Sequence, residues 1–488
     1  MQRIKIKDCC LLAMLLGVLF LTFLGNRPLF VPDEGRYAEI AREMMVSGNY
    51  AIPHLNGIVY FEKPPLFYWL GASAFRIAGV HIGSIRLINA LFGLLGCLLT
   101  YAVATTLYDR KTGLIAACIL GTSLLYFVMA HMVSLDLPVT FFIMATLYAS
   151  LIGIETKSNS KRRLFIYLAA IAGALAVLTK GLIGILFPLM IVGLWILLNT
   201  KRRRPITVIK NLYLPTALLL FLLIAMPWHV ISQLHYPQFF SFYFIEQHFL
   251  RYTDRTIGHD EPIWFFIPYL MIGFLPWIIY LPQTIKLHIR ALYQKNATAE
   301  NPSFSLFFLV WLIFIFLFFS FSKSKLIPYI LPLFPALAIL EARLLVRFNI
   351  KKIFIAFCCT AILLLALLAY APKLDTRTIL PLATILKSAL QPQDEVITYN
   401  QYYQDLPFYL ERRVSILNWK NELSFGMQLE DTSSWMINDQ AFEKRWDSAQ
   451  QVYVIMGLGE LEAFKKHHTN QSIRILGTTR ANALITNH

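Results

Sequence analysis

Long apolar stretches separated by short polar joins fill the first 371 residues, and beyond Pro372 the apolar density falls. A bilayer core takes about 20 apolar residues per helix. On that measure the pattern predicts eleven spans, beginning near residues 8, 83, 113, 137, 164, 182, 212, 262, 305, 326 and 350. The third and fourth meet around His131 to Asp136 and the fifth and sixth around Thr179 to Gly181, joins short enough for antiparallel neighbours. The first stretch, Leu11 to Leu24, follows Arg3, Lys5 and Lys7 but no small-residue cleavage site follows it, so it is read as an uncleaved span. In the tail, Val396 to Tyr399, Gln451 to Met456 and Ala483 to Thr486 predict short strands, and Glu460 to Lys466 a helix. The expected fold is an α-helical polytopic membrane protein. Residues 1–371 form a transmembrane domain of about eleven helices with amphipathic interfacial helices, and residues 372–488 a small α/β domain.

The connection at residues 26–82 is too long to be a simple join and holds most of the chain's unusual polar residues. After Pro32, the residues Tyr37, Ile40, Ala41, Met44 and Met45 recur at helical spacing, which predicts an amphipathic helix on the membrane surface. Asp33 reads as the N-cap of that helix and, compatibly with that, as an anionic group for chemistry at the bilayer surface. Further on, Glu62 and Lys63 precede Pro64 and Pro65, which stiffen the backbone that presents them. An ordinary turn into a second interfacial helix with an aromatic belt of Phe67, Tyr68 and Trp69 fits the same residues.

Composition narrows the classes. The chain is 57% hydrophobic and 15% charged, too apolar for a soluble domain. Its net charge of +16 comes from short basic runs between apolar stretches, so the charge sets membrane orientation and no nucleic-acid partner is expected. Arg110 with Lys111, Lys157 with Lys161 to Arg163, Lys201 to Arg204, Lys286 to Lys295 and Arg343 to Lys352 all fall on one side, taken as cytoplasmic. An odd number of spans then puts the tail on the outside. The cysteines Cys9, Cys10, Cys97, Cys118, Cys358 and Cys359 sit in or beside apolar stretches without metal spacing, and no disulfide is expected.

That topology gathers ionisable residues on the outer side. Asp136 is flanked by apolar residues at the end of a span, where a carboxylate is costly and suggests function. Lys180, Lys323 and Lys325 mark outer junctions; singly each reads as a snorkelling lysine, together they are cations for a phosphate. The fourth outer loop carries His235, Glu246, His248, Arg251, Asp254, Arg255, His259, Asp260 and Glu261, enough for a metal site or a phosphate clamp but matching no zinc motif.

Four blocks in order carry a resemblance: Asp33-Glu34-x-Arg36-Tyr37-Ala38-Glu39-Ile40, Tyr60-Phe61-Glu62-Lys63-Pro64, Leu135-Asp136, and Lys323-x-Lys325-Leu326-x-x-Tyr329. They resemble the bacterial aminoarabinose transferases that modify lipid A, relatives of the protein O-mannosyltransferases in the glycosyltransferase C superfamily. The likeness covers the membrane region and, more weakly, the tail. The chain departs from that family in its smaller number of spans, which leaves the sugar and the acceptor less defined than the reaction type.

The resemblance implies inverting transfer of a sugar, 4-amino-4-deoxy-L-arabinose in that family, from undecaprenyl phosphate to lipid A at the periplasmic face of the bacterial inner membrane. It implies Asp33, Asp136 and Glu62 as catalytic residues. Lys63, Lys323, Lys325, Tyr329, Arg36, Lys180 and Arg251 fall to the donor phosphate, and Glu62 with His248 to a divalent metal ion, zinc or magnesium/manganese. A hydroxyl acceptor would need a general base, for which Asp33 is the first choice, whereas a phosphate acceptor would need none. Three other readings stay open: transfer of another polyprenyl-phosphate-linked sugar to a protein or glycan, a lipid-linked-sugar transporter, and a scaffold acting through its tail. A transporter is disfavoured by spans nearly free of ionisable residues.

Overall fold

The computed structural model describes residues 4–199, 204–253, 261–293, 301–373, 378–469 and 473–488. They fall into two compact units. Met1–Thr22, Glu62–Phe67 and Arg86–Leu367 form the first, and Phe23–Phe61, Tyr68–Ile85 and Leu368–His488 the second.

The chain is a multi-pass helical membrane protein. Among the described residues, seven helices are long and apolar enough to cross a bilayer: Ile82–Leu107, Asp136–Glu155, Asn159–Lys180, Leu214–His235, Pro302–Phe321, Ile327–Leu345 and Ile350–Lys373. Two bent pairs, Arg110–Thr122 with Leu124–Ala130 and Phe266–Gly273 with Trp277–Tyr293, bring the number to nine. The other two predicted stretches form helices of 16 residues, Ile6–Leu21 and Ile183–Leu198. These are shorter than the roughly 20 residues of a straight span.

The bends have local causes. Thr122 and Ser123 hydroxyls donate back to the Cys118 and Ile119 carbonyls at 2.6 and 2.7 Å, a pattern that bends helices. In the second pair Pro276 lacks the N–H that would continue the ladder. The two breaks serve each other: Trp277 Nε1 donates to Thr122 Oγ1 at 3.0 Å, and the Leu124 amide to the Leu275 carbonyl at 3.3 Å. Backbone freed at membrane depth thereby finds partners.

In the second unit the predicted surface helix, Asp33–Ser47, is largely enclosed. Tyr37, Ala38, Ile40, Ala41 and Met44 are buried, and so are Glu34, Glu39 and Arg42 of its polar side. The charges have partners: Glu34 accepts from Arg27 at 2.7 Å and from the Phe30 amide at 2.8 Å, and Arg42 donates to Glu39 at 2.6 and 2.7 Å and to the Glu411 carbonyl at 3.2 Å. The helix caps without Asp33, since Pro32 is its N-cap and no side chain closes it. Gly35 allows the tail to approach, as a Cβ there would lie 2.5 Å from the Asp405 amide.

A hairpin follows, β1 (His54–Leu55) and β2 (Ile58–Val59), turned by Asn56 and Gly57 at positive φ. The Asn56 amide donates to the Val414 carbonyl and its oxygen accepts from the Val414 amide, both at 2.9 Å. The tail contributes β3 (Glu395–Tyr399), β4 (Ser415–Leu417), β5 (Met436–Ile437), β6 (Val452–Gly457), β7 (Arg474–Thr478) and β8 (Asn482–Thr486). Their order is β5-β4-β3-β6-β8-β7, the first four parallel and β8 and β7 antiparallel to their neighbours. Ile397, Val454 and Ile485 of the sheet pack with Phe442, Trp446, Leu461 and Phe464 of two helices.

Candidate active site

The Asn159–Lys180 helix ends because Gly181 takes φ +85, its amide closing on the Val177 carbonyl at 2.8 Å. That end presents Lys180, whose ammonium pairs with the Asp136 carboxylate and lies 4.9 Å from the centroid of the Tyr329 ring. Asp136 opens the next-preceding long helix, where the dipole favours an anion. Its second oxygen accepts from the Ser134 hydroxyl at 2.8 Å, and the Ser134 carbonyl in turn accepts from Asn89 at 2.8 Å. Both Asp136 oxygens are engaged, so this carboxylate is built to hold Lys180 against Tyr329.

The residues Ser241–Leu250 form a π-helix, a conformation common at functional sites. His248 Nδ1 donates to the Tyr243 carbonyl at 2.6 Å, which leaves Nε2 as the lone-pair nitrogen of the neutral ring. Burial, reinforced by the charges of Lys63 and Arg251, pushes the ring's pKa down to about 4. The folded state thus resists protonation that the unfolded chain accepts near the ordinary value of 6.5. The stability so contributed is complete above that value and is lost as pH falls through it toward about 4. Wild type should lose Tm between about pH 7 and pH 5 more steeply than His248→Gln; parallel curves would show an ordinary histidine.

Lys63, Asp136, Lys180, His248, Arg251 and Tyr329 converge on one cavity of about 330 Å³ within the first unit. Lys63 follows Glu62 and donates to its carbonyl at 2.9 Å. Gln247, Tyr252, Ser322 and Ser324 add polar groups that sequence reasoning did not single out, and Leu182, Ile183, Leu186, Phe318, Phe319 and Pro332 give an apolar wall. Three cations face one carboxylate, an excess of two positive charges in a partly apolar chamber.

Three expected phosphate ligands, Lys325, Lys323 and Arg36, do not line this cavity. Lys325 is 4% exposed and donates to the Ser322 and Glu261 carbonyls, each at 2.6 Å. A buried ammonium needs acceptors, and the end of the Pro302–Phe321 helix supplies one. Lys323, half-buried, is joined through its amide to the Tyr252 carbonyl at 3.0 Å, and neither lysine lines the cavity. Asp33 and Arg36 belong to the second unit, where Asp33 accepts from Arg36 at 3.2 Å and Arg36 also pairs with Glu422. Asp254, Arg255, His259 and Asp260 lie outside the described residues.

Of the two residues that the resemblance makes metal ligands, His248 has the chemistry required: a neutral ring, oriented through Nδ1, at the cavity wall. Glu62 immediately precedes the cavity residue Lys63. Among the described residues neither belongs to a group of three or more histidine, cysteine or acidic side chains near enough to share an ion; the group that does is Glu443, His467 and His468.

Residues 62–231 match the dolichyl-phosphate-mannose-protein mannosyltransferase family and residues 382–487 the aminoarabinose transferase C-terminal domain. The undecaprenyl phosphate-alpha-4-amino-4-deoxy-L-arabinose arabinosyl transferase of Yersinia enterocolitica is 30% identical over 401 residues, covering 78% of this chain and 70% of that one. The chain belongs to the aminoarabinose transferase family. The family member of the same name from Pectobacterium atrosepticum is 33% identical over 344 residues, and the match spans 70% of this chain and 59% of that protein's length. In fold, the chain is similar to ArnT from Cupriavidus metallidurans, crystallised with undecaprenyl phosphate, with a TM-score of 0.86 over 98% of each chain at 24% identity. An oligosaccharyltransferase from Archaeoglobus fulgidus shares the fold more distantly, with a TM-score of 0.55 at 12% identity over 98% of this chain and 74% of that one. These two likenesses are of fold, and each covers nearly the whole chain.

Proposed function

We propose that the chain is an inverting glycosyltransferase that moves 4-amino-4-deoxy-L-arabinose from undecaprenyl phosphate to lipid A. In this reading eleven spans place the cavity and the C-terminal domain on the periplasmic side of the bacterial inner membrane. The observation that carries it is the cavity, which sets Lys63, Lys180 and Arg251 beside an apolar wall. Cations suit a phosphate and the wall suits a prenyl chain. The names of the relatives supply the sugar and the carrier.

An acceptor oxygen attacks the anomeric carbon from the side opposite the carrier; the bond from that carbon to the carrier phosphate breaks, and the phosphate leaves with the electron pair. Negative charge grows on the leaving group, and fixed cations there stabilise the transition state more than the ground state. Lys63 and Arg251 take that part, with Lys180 held by Asp136 and Tyr329. If the acceptor is a lipid A phosphate, it is already anionic and no base is needed. A divalent metal bound by His248 and Glu62 would add positive charge at the phosphate. Lys325, held on the Ser322 and Glu261 carbonyls, fits a part in the frame of the site.

Asp33 and Arg36 are carried over from the family motif, and Asp33 is the residue to test. With a phosphate acceptor its part is to position the amino group of the sugar, and purified, folded Asp33→Asn is expected to lose transfer by about 100-fold. Activity within a few-fold of wild type would remove Asp33 from the chemistry.

A further inference from the structure

We propose a cation site in the C-terminal domain, formed by Glu443, His467 and His468, that takes a divalent transition metal of the zinc class. It would tie the Asp439–Trp446 helix to the Leu458–His467 helix and stands independently of the transfer reaction. One ligand atom from each side chain lies within 4.8 Å of the others. Ligands at about 2.0–2.2 Å from a tetrahedral zinc sit roughly 3.3–3.5 Å apart, so small shifts suffice to close the site.

His468 gives the second observation. Its Nδ1 is 3.0 Å from the Phe464 carbonyl and its Nε2 is 3.1 Å from the Glu443 carboxylate, so both ring nitrogens face acceptors. A neutral imidazole has one N–H and satisfies only one of them. A cation between Nε2 and the carboxylate removes the conflict, with Nδ1–H on the carbonyl fixing the ring as outer partners of metal-bound histidines do. The alternative is an imidazolium paired with Glu443. The His468 side chain is 4% exposed and stacks on Phe464 at 4.1 Å between centroids, with Trp446 and Phe442 beside it, so its ring is held in one orientation toward Glu443.

His467 has no part in such an ion pair, yet its ring comes to 4.9 Å from that of His468, and it is the last residue of its helix, where the dipole favours a cation. Two nitrogens and one oxygen are a zinc-type donor set. Glu443 is 40% exposed and His467 is exposed, which leaves the site open to solvent for exchange and for a water ligand.

The test uses the full-length, tag-free protein in detergent, stripped with a chelator and titrated with zinc sulfate, with bound zinc counted by mass spectrometry of the element. Wild type is expected to bind one more zinc ion per chain than either His467→Ala or Glu443→Gln, and to gain Tm with zinc where these variants do not. Glu62→Gln, run in parallel, should keep this ion whatever happens at the cavity. Equal counts in wild type and His467→Ala, zero included, would overturn the proposal and leave a plain histidine–glutamate pair.

Discussion

Replacing Lys63 with alanine is expected to lower the turnover of sugar transfer by about 100- to 1,000-fold, the usual loss when a preorganised group facing developing charge is removed. Lys63 is the cavity cation carried by the long connection of residues 26–82, on a stretch held by Pro64 and Pro65, so its ammonium is placed before the donor arrives. Lys63→Arg should recover part of the rate, because charge is retained while its shape changes. Arg251→Ala is a useful comparison: its guanidinium also lines the cavity and donates to Gln247 at 3.4 Å, and a loss of rate is expected there too. Single-turnover assays with saturating donor separate loss of chemistry from loss of binding. A Lys63→Ala enzyme within a few-fold of wild type would place the leaving phosphate elsewhere.

The second large effect is expected at a residue with no functional group. Gly181→Ala should reduce transfer by about 100-fold, comparable to the cost of misplacing a site by about 1 Å. Its backbone sits at φ +85, and a Cβ there would collide with His248 Nε2 and lie 2.9 Å from the Tyr243 hydroxyl. The methyl group must therefore displace the π-helix that carries His248, or turn the helix end that carries Lys180. Gly193→Ala, where a Cβ meets nothing within 4 Å, is the control and should leave activity unchanged. Equal activities of the two variants would show that the Lys180–Gly181 junction is not a positioning element.

Much of this was legible in the chain. Apolar stretches of span length mark helices because lipid permits few alternatives. Strands β3, β6 and β8 were legible as β-branched runs, whereas β4 and β5 are too short and β7 too polar to announce themselves. Asp136 was found as a costly charge at a span end and Lys180 as one of three junction cations, and they proved to be partners across 44 residues. Lys325 looked equivalent to them. Sequence cannot tell a lysine that caps carbonyls from one that lines a cavity, because the Ser322 and Glu261 oxygens that engage it are backbone atoms present at every residue. The Asp33–Ser47 helix misled for a similar reason. Glu34, Glu39 and Arg42 read as a solvated face, while two of their partners, Arg27 and the Glu411 carbonyl, lie outside the helix.

The most direct test of the central claim is transfer by the purified full-length chain, reconstituted with undecaprenyl-phosphate-linked aminoarabinose and lipid A, with the product followed by mass spectrometry. The account predicts lipid A heavier by one aminopentose per modified phosphate, formed by wild type and nearly absent with Lys63→Ala. Unchanged lipid A with folded wild-type protein, or equal product from Lys63→Ala, would contradict it.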